Sequence, residues 1–167
     1  MEIERRFLIK DMDKVNELIR TYRDSKKTIV QDYIYSDVLT AIRKRKIEKD
    51  GHINYIYTVK TGRKGISVNE FEQEISEEVY NSLKIDERRA TIIKDRYVIP
   101  YINDLKIELD IFHGEYESVV FAEIEFIDEE QAMNTQVPNW FYREIGNEVS
   151  NSKMSRREVD VKKLINF

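Results

Sequence analysis

Charged residues recur two apart along this chain, and that spacing restricts the fold more than any other feature. The first nine residues alternate Glu2, Glu4, Arg6 and Leu8 with Ile3, Arg5, Phe7 and Ile9. Their β-branched and aromatic content favours a strand. The same spacing returns at Arg43 and Arg45, Lys94 and Arg96, Glu108 and Asp110, and Glu123 and Glu125, and as a triple at Glu70, Glu72 and Glu74. The residues between are mostly apolar or aromatic, as at Phe71, Ile107, Leu109, Ala122 and Ile124. Side chains of a strand alternate between two faces, so each charged set shares one face. Six such strands with mixed sign point to one charged interior.

Turn arithmetic extends the set. Asp50-Gly51 is a strong hairpin signal. A two-residue turn there pairs Lys49 with His52, Arg45 with Ile56 and Arg43 with Thr58. Lys60 has the parity of Thr58 and so joins Arg43 and Arg45. The next turn lies at Gly62 to Gly65. Glu70, Glu72 and Glu74 share the interior with Lys60 only if even-numbered residues pair with even-numbered ones. An odd loop, 63–65, would do this and set Thr58 opposite Glu70 and Ile56 opposite Glu72; a bulge would also correct the parity.

Further strands are expected at 29–36, where Gln31, Tyr33 and Tyr35 share a face, and at 89–99, 105–112 and 119–127. Amphipathic helices are expected at 12–24 after Asp11, at 77–87 after Ser76, briefly after Asp128, and at 139–145 behind Pro138, with Trp140, Phe141 and Ile145. No linker or repeat divides the chain, so residues 1–167 read as a single domain.

About eight strands joined mostly by short turns imply an antiparallel sheet. The fold class is therefore α+β: an eight-stranded, closed antiparallel β-barrel with a charged lumen, its apolar outside covered by the helices at 12–24, 77–87 and 139–145. A lumen of close charges cannot be a dry core. It should hold water, cations and an anionic ligand. Arg6, Arg43, Arg45, Lys60, Lys94 and Arg96 exceed what one phosphate needs and suit a chain of several. Glu2, Glu4, Asp110, Glu123 and Glu125 offer hard oxygen ligands for Mg²⁺ or Mn²⁺. No Walker glycine loop is present.

Other classes recede. A net charge of −4 argues against a general nucleic-acid binder. The absence of cysteine excludes disulfides and thiolate chemistry. His52 sits beside a turn and His113 in a loop, both poorly placed for catalysis or metal. No apolar run approaches spanning length, so no membrane partner and a cytoplasmic location are expected. A homodimer is compatible with the pattern.

The ordered set also resembles a known family. Glu2-x-Glu4-x-Arg6 is similar to the ExExK signature of the CYTH superfamily, the triphosphate tunnel metalloenzymes. Arg43-x-Arg45, Lys60 in Thr-Val-Lys, Glu70 to Glu74, Lys94-x-Arg96-Tyr97, Glu108-x-Asp110 and Glu123-x-Glu125 follow in the family's order. The likeness runs from Glu2 to about Met154. It implies a triphosphate-binding tunnel that requires Mg²⁺ or Mn²⁺. It also implies one of three activities: inorganic triphosphatase, class IV adenylate cyclase or thiamine triphosphatase. Chains that open almost at the signature, as this one does, look most like the inorganic triphosphatases.

By this resemblance Glu2, Glu4, Glu123 and Glu125 hold metal, with Asp110 as a further candidate. Arg6, Arg43, Arg45, Lys60, Lys94 and Arg96 bind phosphates. Tyr33 and Lys94 assist substrate positioning or attack by water, and Glu70, Glu72, Glu74 and Glu108 line the lumen. Two departures stand out: arginine replaces the signature lysine at Arg6, and Val68 replaces a basic residue common in relatives. Three functions remain open at this point: a triphosphate hydrolase, a cyclase making cyclic AMP from ATP, and a non-catalytic polyphosphate binder.

Overall fold

The computed structural model describes residues 1–166, save the side chains of Lys162 and Ile165. Among the described residues nine strands form, in order β1 (Glu2–Leu8), β2 (Lys27–Ser36), β3 (Thr40–Lys49), β4 (His52–Lys64), β5 (Ser67–Ile75), β6 (Ile92–Pro100), β7 (Lys106–His113), β8 (Val120–Glu125) and β9 (Arg143–Ile145). The barrel runs β1-β8-β7-β6-β2-β3-β4-β5 and returns to β1, so eight strands close the ring, as expected. Closure is narrow. β5 meets β1 only at Glu2↔Val68 and Ile3↔Ser67. Residues 69–75 of β5 have β4 on one side and, among the described residues, no strand on the other.

The β3–β4 hairpin has the predicted register, with Lys49↔His52, Arg45↔Ile56 and Arg43↔Thr58. Asp50 (φ 52°) and Gly51 (φ 80°) both take the positive φ that such a turn demands. At the β4–β5 turn the parity is as required but the pairing is not. Thr61 faces Asn69 and Lys64 faces Ser67, with a bulge between. Thr58 therefore opposes Glu72, Lys60 opposes Glu70, and Ile56 opposes Glu74. The extra residue is accommodated at Gly62, where φ is +63° and a Cβ would lie 2.9 Å from Asn69 Nδ2.

The helices are shorter than periodicity suggests. α1 (Met12–Thr21) begins with Asp11 accepting from Lys14 N at 3.0 Å. It stops where a 3₁₀ turn takes over at 23–25. α2 (Glu77–Ser82) ends at Leu83, which is already extended. Downstream, Asp86 gathers Arg88 and Arg89 into a turn, so β6 starts at Ile92 and not at 89. Residues 139–145 are not a helix. Only one turn forms, Phe141 N to Pro138 O, and then Tyr142 N bonds Leu8 O and β9 pairs with β1. The free edge of β1 captures this segment. Trp140 and Phe141 still cover the barrel's outside, Phe141 lying 4.7 Å from Phe7 between ring centres. α3 (Glu129–Asn134), α4 (Asn151–Ser155) and α5 (Val161–Ile165) complete the fold. No described helix is long and apolar enough to cross a membrane.

The described residues form two cores. The outer one packs Val15, Leu18 and Ala132 of α1 and α3 onto Phe7, Leu109, Ala122 and Ile124. The second includes Leu8, Ile92, Phe112 and Phe121, whose parity faces inward, and Met154 of α4. The lumen is therefore not charged throughout. Part of it is an ordinary apolar core that seats the C-terminal segment against the barrel.

Candidate active site

A cavity of about 460 Å³ occupies the rest of the lumen. Glu2, Glu4, Arg6, Tyr33, Arg43, Arg45, Lys60, Glu70, Glu72, Lys94, Arg96, Glu108, Glu123 and Glu125 line it, as the strand parity requires. Two predicted members do not. Glu74 shares the inward parity, opposite Ile56, but lies exposed and outside the cavity lining, on the stretch of β5 that has β4 on one side only among the described residues. Asp110 is fully buried beneath the cavity, where cationic side chains occupy both its oxygens.

Asp110 organises the basic side chains on β6. Arg96 Nε and Nη2 each donate to it at 2.7 Å, and Lys94 Nζ lies 2.9 Å from Oδ2. Burial alone would raise the Asp110 carboxyl, but Arg96 and then Lys94 outweigh it and hold it well below the usual range. Arg96 also meets Glu123 at 3.2 Å and pairs with Glu108. Its donors are thus shared among three carboxylates, tied more tightly than an arginine waiting for phosphate. Burial pushes Glu108 upward despite Arg96. Lys94 is lowered, first by burial, with Asp110 opposing and Arg96 reinforcing. One Lys94 proton goes to Asp110 and another to Asn151 Oδ1 at 3.3 Å. An ammonium has three, so one remains for the cavity.

The other basic residues are less committed. Arg45 Nη2 bonds Glu72 at 2.7 Å, yet the group is pushed down to about 10, first by burial and then by neighbouring Arg43. Arg43 stays above its ordinary range: burial opposes its charge, but Tyr33, Glu2 and Glu70 favour it. Arg6 donates to Val149 O at 3.0 Å and stands 3.8 Å from Glu123. The Nε atoms of Arg6, Arg43 and Arg45 are buried with no hydrogen-bond partner among the described residues. Buried donors without acceptors are costly, and an anion in the cavity relieves that cost.

The carboxylates gather where β1, β5 and β8 converge. Glu4 opposes Glu125 in the β1–β8 ladder. Glu125 is raised, first by burial and then by Glu2, Glu4 and Glu70. Lys60 offsets part of this charge, 2.7 Å from Glu2 and 3.4 Å from Glu70. No three described acidic or histidine side chains are close enough to hold an ion as they stand. The donor set still fits a hard divalent cation, because mutual repulsion at Glu125 is what such a cation removes. His113 is held by Asp95 at 2.8 Å and does not line the cavity.

Sequence reasoning missed the cavity's C-terminal wall. Asn147, Ser150, Asn151, Ser152, Lys153 and Arg156 all line it. Buried Met154 anchors α4, and Ala90 N bonds Ser155 O at 2.7 Å. A polar, basic tail was the only signal, since a helix of five residues is too short to show a period.

No protein-family model matches the chain. It is 31% identical over 147 residues to the inorganic triphosphatase of Acetivibrio thermocellus, covering 86% of this chain and 85% of that protein. Among solved structures it is similar to the inorganic triphosphatase NE1496: 25% identity, TM-score 0.57, covering 96% of this chain and 95% of that one. The Hippeastrum protein HpAC1, a putative adenylyl cyclase with a dominant triphosphatase activity, shares the fold at TM-score 0.63 and 14% identity, over 80% and 83% of the two chains. The relative's identity over most of both chains, the ordered charged motifs and the closed barrel agree: the chain belongs to the CYTH superfamily, the triphosphate tunnel metalloenzymes.

Proposed function

We propose that this protein hydrolyses a triphosphate, inorganic triphosphate above all, to diphosphate and phosphate. The observation that carries the reading is the buried set of arginines around the barrel's cavity whose Nε donors have no partner among the described residues. A polyphosphate chain supplies the missing acceptors along its length. A single phosphate would leave most of them unsatisfied.

Arg6, Arg43, Arg45 and Lys60 hold the chain and favour the charge that builds on the departing diphosphate. Arg96 contributes from beneath, already steered by Asp110. Lys94 uses its third proton, and Tyr33 its hydroxyl, to position the terminal phosphoryl group and the attacking water. Glu2, Glu4, Glu123 and Glu125 are the residues that would hold Mg²⁺ or Mn²⁺. When bound, such a cation screens phosphate oxygens and acidifies water. Asp110 is not among them, because it is committed to Arg96 and Lys94. No side-chain nucleophile is needed, consistent with a chain that has no cysteine.

The test is product analysis after incubation with inorganic triphosphate, ATP and thiamine triphosphate, each with Mg²⁺ and with Mn²⁺. Phosphate released fastest from inorganic triphosphate, and abolished by excess EDTA, is the expected result. Cyclic AMP as the main product from ATP, with triphosphate left intact, would replace this reading with the cyclase.

A further inference from the structure

Gln31 is fully buried, at 0% exposure, on the inward face of β2. Its Nε2 donates to Tyr33 Oη at 2.9 Å. Its Oε1 has no partner among the described residues. Gln31 pairs with Arg45 across the β2–β3 ladder, and Tyr33 pairs with Arg43. A primary amide this deep would ordinarily be replaced by an apolar side chain, because each unmet polar atom is costly. The neighbours Ile29 and Ile92 show that an aliphatic residue fits the region.

The amide's orientation follows from its surroundings. Arg45 Nε, on the same face and opposite in the ladder, is a buried donor without an acceptor. That favours the amide oxygen on the Arg45 side and the NH₂ group toward Tyr33. The Gln31 NH₂ group can only donate. Tyr33 Oη therefore accepts from Gln31, which leaves its own O–H hydrogen to be given away. Tyr33 lines the cavity, so the cavity is where that hydrogen can be received.

We propose that Gln31 is a positioning residue for the hydrolysis described above: its amide donates to the Tyr33 hydroxyl oxygen and so fixes the Tyr33 proton toward a substrate phosphoryl oxygen. The inference rests on the triphosphatase reading. It assigns Gln31 no contact with substrate; the amide acts through Tyr33.

Three single variants and one cycle test it. Gln31→Met keeps length and burial but cannot donate, so kcat should fall about tenfold, the scale of one hydrogen bond, with KM changing less. Gln31→Glu can only accept when ionised, draws the Tyr33 proton back and should fall further. Tyr33→Phe removes the group on which Gln31 acts. In the Tyr33→Phe background, Gln31→Met should then cost nothing more, with melting temperatures within a few degrees across the cycle. Additive losses, or a Gln31→Met variant with unchanged kcat, would overturn the proposal. The same cycle read as the Kd for inorganic triphosphate by calorimetry separates the two claims. An enzyme without turnover whose binding still shows Gln31–Tyr33 coupling refutes the triphosphatase and keeps the positioning role. Turnover without coupling does the reverse.

Discussion

Lys60 Nζ lies 2.7 Å from Glu2 Oε2, and this ion pair crosses the seam at which the barrel closes. Lys60 belongs to β4 and Glu2 to β1, with Glu70 of β5 between them at 3.4 Å. The ammonium thus ties down a carboxylate proposed for the metal while it is itself proposed for phosphate. A bound triphosphate and a divalent cation would resolve this competition by giving each group its own partner.

Lys60→Ala should therefore weaken triphosphate binding by roughly 1.5–3 kcal/mol, the range for a hydrogen bond to a charged group. The melting temperature should move by only a few degrees, since β5 still pairs with β4 from Ser67 to Ile75. Calorimetry beside thermal melting checks both. A collapse of stability with affinity retained would make Lys60 a seam lock only.

Asp110→Asn makes the opposite prediction. It removes the charge that holds Arg96 and Lys94, leaving two buried cations short of a counterion, and should cost about 3–5 kcal/mol of stability. Denaturant melts give the value. The wild type carries a matching pH signature. Its depressed Asp110 carboxyl contributes stability in full above the unfolded carboxyl value near ~3.9, and loses it as pH falls through the lower folded value. Glu108, pushed up by burial, acts in the opposite sense.

Arg6→Ala should lower triphosphate affinity by roughly 1.5–3 kcal/mol, by the same charged hydrogen-bond range. Arg6→Lys should retain much of the function, because the charge stays beside Glu123. The structure adds a term: Arg6 also donates to Val149 O, so the alanine variant should loosen the C-terminal segment. Proteolysis near residue 149 would register that separately from binding.

Arg45 supplies the alkaline limb. In the free protein burial, then Arg43, hold it at about 10, and Lys94 is shifted in the same direction. A bound polyanion raises both, so binding takes up protons at alkaline pH. Affinity is flat near neutrality and falls as pH climbs through about 10. Titration calorimetry in buffers of different ionisation enthalpy, near that pH, counts the protons.

What the sequence made legible was whatever depends on parity. The Asp50-Gly51 turn determines the β3–β4 register, and with it the placing of Arg43, Arg45 and Lys60, because a two-residue loop leaves no freedom. The Gly62 bulge was legible only as one of two ways to restore parity, since an odd loop satisfies the same alternation. Residues 139–145 carry a helix-like apolar pattern, but β1 offers them an open edge, and tertiary pairing overrides so weak a preference. Asp110 reads in sequence like Glu123, as a carboxylate on an inward face. Only depth separates a floor counterion from a ligand, and period two carries no depth. Gln31 shows no charge at all, so a search for charged pairs passes it by.

The unpaired stretch of β5 has a bearing on how copies of this protein meet. Residues 69–75 present an open row of amides and carbonyls, which ordinarily invites a twin strand to dock. Two such edges laid antiparallel about Glu72 would set Glu72 against Glu72 and Glu70 against Glu74 on the same side. Like charges directly opposed in a ladder repel. The acidic rhythm of the wall thus sets this edge against itself: along most of a strand, the side chains that would flank a sibling's edge oppose the pairing that the bare backbone invites.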